Sequence, residues 1–315
     1  MTLPLLLGIS GMVKIGINQF LVVHDAKCPD EPRLGVIDVR VDGPSYREVG
    51  IDKWPSSESL PHDLEGICAI PERSGEYLVV ESGFEPKCGH FGRVIKIGYG
   101  GGSASSAEYL GAFRPFPPPP NNSATPRHEQ IEGIASVAHN GTTALLIALR
   151  GHKTTPGKLV WGTLDGLDKP DQVFREVGRH PLSPRAIADR GAADLFARAV
   201  LVNAWEILSV ASLDAGDLGP FRSSVYSAGI ITISCGTIVF IPYSTCGVLW
   251  DIEGLKVEAL AAPAELIPKS GLSIATDDEF YKGIWRPILE STGPQPPSPM
   301  LFFDNVRALS GVKLA

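Results

Sequence analysis

The sequence predicts an all-β chain assembled from repeated small antiparallel sheets, and three observations predict it. A strand–turn–strand pattern recurs along the chain. Its copies, at a period of about 50 residues, account for nearly all of the 315 residues. The 34 glycines and 27 prolines are scattered between short apolar runs, where they act as punctuation between strands.

Three copies align directly. They are LEGICAIPERSGEYLVVESG from Leu64, IEGIASVAHNGTTALLIALRG from Ile131 and VEALAAPAELIPKSGLSIATDD from Val257. Each is followed by a further apolar strand: GRVIKIG from Gly92, GKLVWGTL from Gly157 and GIWRPIL from Gly283. The couplet recurs without its Glu-bearing strand in FLVVHDAK with LGVIDVR, from Phe20 and Leu34, and in TIVFIPYS with GVLWDI, from Thr237 and Gly247. A sixth, weaker copy starts at Pro184. Short runs rich in Val, Ile, Leu and aromatics, bounded by Gly and Pro, are the antiparallel signal. Sheets of this kind repeated around a channel make a β-propeller. The expectation is therefore one six-bladed β-propeller domain spanning residues 1–315, with five or seven blades also open.

Two stretches qualify that expectation. FRPFPPPPNNSATPRHEQ carries four consecutive prolines, Pro117 to Pro120, and cannot enter a sheet interior, so residues from about 114 to 130 read as an insertion between blades. The run ADLFARAVLVNAWEILSVASL fits a helical period as well as strands, which leaves a β-sandwich pair or a helix-containing hydrolase as the competing fold. Its place in the repeat favours strands.

The composition excludes some partners. A net charge of −7 without any dense Lys/Arg run argues against nucleic acid. No apolar stretch approaches the roughly 20 residues that span a bilayer, so no membrane association is expected. The opening MTLPLLLGISGM is apolar but lacks the basic start of a signal peptide, which points to the cytoplasm. Five cysteines without CxxC spacing fit neither a disulfide framework nor a structural zinc site, and Cys68 reads as a buried small hydrophobe. There is no Gly-x-Ser-x-Gly elbow, phosphate loop or His-Glu-x-x-His.

The repeat also predicts where polar groups gather. If the Glu-bearing strand of each blade is innermost, Glu65, Glu132 and Glu258 enter at one end of the channel. The next strand runs back and returns His24 with Asp25, Glu81, Arg150 with His152, Tyr243, and Asp277 with Asp278 to that end. Clustered carboxylates are costly unless paired, metal-bound or protonated. Arg150 as neutraliser, a hard cation such as calcium, and carboxylates with raised pKa are three solutions. A fourth reading makes each Glu a staple to a neighbouring blade's backbone.

At DLEGICAI, QIEGIASV and KVEALAAP, together with SIATDDEFYKGIWRPIL, the chain resembles the phytase-like propeller superfamily, notably the family named for the esterase-like activity of phytase. More distantly it is similar to gluconolactonase- and regucalcin-like propellers, which hold a channel metal. The resemblance implies a six-bladed fold and metal-assisted hydrolysis of a small ester, lactone or phosphoester. Ala259 stands where the pattern has Gly, and the dense phosphate-binding set of calcium phytases is missing.

Two functions follow as expectations. In the first, a divalent cation, calcium foremost, is held by Glu65, Glu132, Glu258 and Asp278. His24 or His152 then carries a proton, and Arg150 orients an anionic group of a small-molecule substrate. In the second, the propeller is not an enzyme and binds a ligand or a protein partner, with the proline-rich insertion as docking element.

Overall fold

The computed structural model describes residues 7–28, 30–83, 92–117, 130–151, 155–168, 172–182, 190–213, 216, 218–278 and 282–290. All of the regular secondary structure in them is strand, in five antiparallel meanders. The first is β1 (Gly11–Lys14), β2 (Gln19–Val23), β3 (Leu34–Arg40) and β4 (Gly43–Asp52). The second is β5 (Leu64–Ala69), β6 (Glu76–Glu81), β7 (Val94–Gly98) and β8 (Ser106–Phe113). The third is β9 (Ile131–His139), β10 (Thr142–Leu149), β11 (Gly157–Asp165) and β12 (Val173–Leu182). The fourth is β13 (Arg190–Leu201), β14 (Ala204–Leu213), β15 (Arg222–Ser234) and β16 (Thr237–Glu253). The fifth has three described strands, β17 (Val257–Ala261), β18 (Ser270–Thr276) and β19 (Trp285–Leu289).

The five first strands pack side by side in a closed cycle, β1 on β5, β5 on β9, β9 on β13, β13 on β17 and β17 on β1. Five apolar cores fill the gaps between successive meanders. One, with Leu146, Ile207 and Ile231, joins the third meander to the fourth. Another, with Phe20, Ile37, Ala259 and Trp285, joins the fifth to the first. The chain start completes that junction, since the Ile9 N–H donates to the Thr276 carbonyl at 2.9 Å. This is a propeller-type arrangement, in which the β-bulk lies between blades and the first strands line the axis. Outer strands of the first two blades are also joined, β4 to β8 in parallel register from Gly50↔Ser106 to Asp52↔Glu108.

The described residues form five meanders where six sequence copies were counted, and β16 accounts for the difference. The couplet from Thr237 and Gly247 is not two strands. Gly229 pairs with Pro242 while Ser227 pairs with Gly247, so residues 243–246 bulge out of one continuous 17-residue outer strand. It completes the blade begun by the weak copy after Pro184. The ambiguous run ADLFARAVLVNAWEILSVASL is the β13–β14 hairpin, not a helix. Most of the proline-rich insertion, and the segment MLFFDNVRAL, lie outside the described residues. No helix of the described residues is long and apolar enough to cross a membrane.

Glycine sets how closely the first strands approach. A Cβ on Gly11 would stand 2.6 Å from the Gly66 Cα, one on Gly66 3.0 Å from the Gly133 Cα, and one on Gly133 2.6 Å from the Asp194 Cα. Such approaches exclude a side chain, which explains the Gly of the Glu-Gly pattern as a packing requirement. These positions form a neck. The channel opens on an apolar side, where Met12, Ile67, Ile134, Leu195 and Leu260 line a cavity of about 250 Å³. On the other side stand the carboxylates.

Candidate functional site

Glu65 on β5 and Glu132 on β9 each precede a neck glycine, and Glu258 holds the same place on β17. All three are buried. Burial pushes the Glu65 carboxyl well above the usual carboxylate range, and the charges of Glu132, Asp63, Glu258 and Asp25 push it further. The three repeated glutamates are therefore near enough for Glu132 and Glu258 to act on Glu65.

Their neighbours differ. Glu132 Oε1 lies 3.5 Å from Nη1 of Arg150, which follows β10. Glu258 Oε1 lies 3.3 Å from Nζ of Lys256, an ammonium only 2% exposed that also stands 3.8 Å from Asp277. Glu65 has no basic group within ion-pair distance among the described residues. It faces acids instead. One oxygen each from Asp25, Asp63 and Glu65 lie within 4.8 Å of one another.

These extra acids come from irregular segments beside the strands. Asp63 precedes β5 with a φ of 60°, a left-handed conformation that costs a non-glycine residue about 1 kcal/mol or more. The surroundings hold it there: its N–H faces the Ala26 carbonyl at 3.4 Å and its carbonyl accepts from the Ser82 N–H at 2.9 Å. Asp25 follows β2, and burial together with the Asp63 carboxyl raises its pKa to about 6. Lys27 reaches over both, with Nζ 2.9 Å from Asp25 Oδ2 and 3.9 Å from Asp63 Oδ1. Burial works against its ammonium, but Asp25, Asp63 and Glu65 outweigh that and hold its pKa above the ordinary lysine value.

The remaining expected residues fall elsewhere. His24 is fully buried between the chain start and β4, with Nδ1 2.7 Å from the Gly8 carbonyl and Nε2 2.9 Å from the Tyr46 hydroxyl. Burial lowers its pKa to about 4. Both nitrogens are thus engaged away from the carboxylates. Asp278 accepts from the Lys256 N–H and from the Thr276 hydroxyl, each at 2.7 Å, and so ties the ends of β17 and β18 together. Glu81 turns from the channel to a two-pronged ion pair with Arg93, both contacts 2.8 Å. Tyr243 sits in the bulge of β16, an outer strand. His152 lies outside the described residues.

Asp25 was expected at this end of the channel, though not as a ligand, while Lys27 and Lys256 escaped the sequence reading. Two more positions complete the ring. Ser10 precedes Gly11 as Glu65 precedes Gly66; it is fully buried, and its hydroxyl has no partner among the described residues. Asp194 stands in the neck where three blades have glycine, its Oδ2 accepting the Leu260 N–H at 2.7 Å. Aligning GISGMVKIG with DLEGICAIP would have exposed the Ser10 position.

The set fits a hard divalent cation. Calcium takes oxygen ligands at 2.3–2.6 Å, so two of its ligands stand at most about 4.6–5.2 Å apart. The Asp25–Asp63–Glu65 oxygens meet that limit where they stand. Three protein oxygens leave places open for water or a substrate oxygen.

The fold and this ring define a propeller-type all-β protein with an acidic channel end. No family model matches the sequence, and no curated protein does. Among solved structures the chain is similar to an exo-1,5-α-L-arabinanase from a bovine ruminal metagenomic library, with TM-score 0.51 and 9% identity over 93% of this chain and 97% of that one. It also aligns with the α-L-arabinanase of Cellvibrio cellulosa, with TM-score 0.49 and 10% identity over 90% and 92%. At 9% identity the first likeness speaks for the propeller-type fold alone.

Proposed function

We propose that the acidic channel end binds a divalent cation, calcium foremost, between Asp25, Asp63 and Glu65, and that the protein uses it to hydrolyse a small ester, lactone or phosphoester. The observation that carries this reading is the meeting of three carboxylate oxygens within 4.8 Å at Glu65, the one ring glutamate without a basic partner among the described residues. The resemblance to esterase-like phytase propellers points the same way.

A bound ion would polarise the scissile group and lower the pKa of a water molecule beside it. The chain's own residues do the rest. Arg150 is 22% exposed and reaches Glu132, so it can swing its guanidinium to an anionic substrate oxygen. Glu132 and Glu258, paired with Arg150 and Lys256, keep the approach selective against a second anion. Of the two histidines considered, His152 takes the proton-carrying role, because both ring nitrogens of His24 are engaged.

A second reading rests on the raised pKa of Glu65. A buried carboxyl whose pKa is raised by burial and by nearby acids is what general acid catalysis without a metal requires, as in glycoside hydrolysis. A third keeps the propeller non-catalytic, binding a ligand or protein partner.

Thermal unfolding of EDTA-treated protein with calcium, magnesium, manganese or zinc separates them. An ion that binds only the folded state stabilises it by about 2.7 kcal/mol at a hundredfold excess over its Kd. Calcium stabilisation, with ester, lactone or phosphoester turnover that EDTA abolishes and Glu65→Ala removes along with binding, is the expected result. Turnover indifferent to EDTA supports the metal-free acid, and binding without turnover supports the non-catalytic propeller. No stabilisation by any ion overturns the metal reading.

A further inference from the structure

Lys27 sits where the proposed ion would sit. Its Nζ is 2.9 Å from Asp25 and 3.9 Å from Asp63, and Glu65 is the third acid of the same cluster. The three carboxylates and one ammonium form a group with acid in excess, and the ammonium supplies a single charge. It is also a poor ligand substitute in geometry: it touches one carboxylate closely and another loosely, while a divalent ion would draw in all three.

The side chain is free to leave. It is 58% exposed, follows β2 on an irregular segment, and is held at its tip by Asp25 closely and Asp63 loosely. The pocket it caps is otherwise built in. Asp63 is fixed in its left-handed turn by Ala26 and Ser82, Glu65 is fixed by β5, and the Ser10 hydroxyl is buried without a partner at the matching place on the adjacent strand. Lys27 alone of these groups is long and exposed.

We propose that Lys27 is a tethered cation that fills the Asp25–Asp63–Glu65 site in the ion-free protein and is displaced when a divalent ion enters, so that it sets both the affinity of the site and its preference for divalent over monovalent ions. This rests on the metal reading above. A monovalent ion gains nothing over the resident ammonium, whereas a divalent one brings an additional charge into a group of three carboxylates. Displacement moves the ammonium into solvent, where a lysine of this length is well hydrated.

The test compares wild-type protein with Lys27→Gln and Lys27→Met, each EDTA-treated and titrated with calcium chloride by calorimetry. Both variants keep a long, flexible side chain at an exposed position, and far-UV circular dichroism checks their fold. Calcium should bind the variants at least tenfold more tightly than wild type, and sodium should weaken calcium binding more in the variants than in wild type. In parallel, acetylation of Lys27 in wild type, followed by mass spectrometry, should speed up severalfold on adding calcium. Wild-type binding of calcium with no tightening in either variant, or with no change in Lys27 acetylation, overturns the inference and leaves the metal site standing. Absence of calcium binding in wild type and in both variants overturns the metal site and the inference together.

Discussion

Glu65 and Glu258 occupy the same place on repeated strands, one residue ahead of the neck, and they live in opposite surroundings. Glu258 has a fully buried ammonium 3.3 Å away, supplied by its own blade two residues earlier. Glu65 has acids from its own blade and from the blade before it, and a lysine that reaches them from outside. The repeat therefore fixes position and leaves chemistry to the segments between strands. One side of the ring is a closed structural pair. The other is an acidic opening with a removable cap.

The largest test of this contrast is at Lys256. Replacing it with Met strands Glu258 and Asp277 as buried, less compensated charges, and breaking a buried pair in this way costs about 3–5 kcal/mol. Thermal or denaturant unfolding reads the loss. The double variant Lys256→Met with Glu258→Gln should regain much of it, because no buried carboxylate is then left facing the methionine from β17. A single variant as stable as wild type would mean that Lys256 is not a structural partner, and the two sides of the ring would no longer differ.

Glu65→Gln should move stability the other way. Removing a buried acid that four other carboxylates repel relieves the ion-free fold by about 1 kcal/mol, the ordinary scale of a single substitution. The same change should weaken calcium binding at least a hundredfold, which titration of the EDTA-treated protein would show. Stability and function would then trade against each other at Glu65 but not at Glu258. Loss of stability in Glu65→Gln would make it a staple like its counterpart.

How much of this was legible in the sequence follows from how each part is built. The blade strands were readable because burial between blades demands local apolar runs, and the turns between them demand Gly. Glu65, Glu132 and Glu258 were readable as a ring because identical strands place identical residues at identical heights. The count of copies was not, because a bulged outer strand such as β16 carries the same apolar–turn–apolar signature as a hairpin. The pairing of the ring was not either. Lys27 meets Asp63 across 36 positions of chain, through a turn whose left-handed Asp has no sequence signature. His24 looked like Asp25's companion at the channel end, but neighbouring residues after a strand point to opposite sides, so one became core and the other site.

That opposition between His24 and Asp25 gives the smallest effect, in pH. Asp25 has a folded pKa of about 6, raised from 3.8, so its contribution to stability is present below about 3.8 and lost as pH rises through 6. His24 is the reverse, with a folded pKa of about 4, lowered from 6.5, so the neutral ring it requires makes the fold less stable as pH falls from 6.5 towards 4. The two therefore oppose each other in the same window, and ion-free stability between about pH 4 and 6.5 should change less than either group alone implies. Calcium binding is indifferent to His24 and feels the acids. An ion needs both Asp25 and Glu65 ionised, and burial raises both carboxyls. At pH 5 a carboxyl of pKa about 6 is ionised in roughly one molecule in ten, so Asp25 alone should lower affinity about tenfold between pH 7.5 and 5. Asp25→Asn should bind more weakly at pH 7.5 and lose that share of the pH dependence while keeping the share of Glu65, and Tyr46→Phe, which removes a His24 partner, should leave the whole dependence intact. Titrations at three pH values would decide it. A pH dependence unchanged in Asp25→Asn would take Asp25 out of the ion's first ligands.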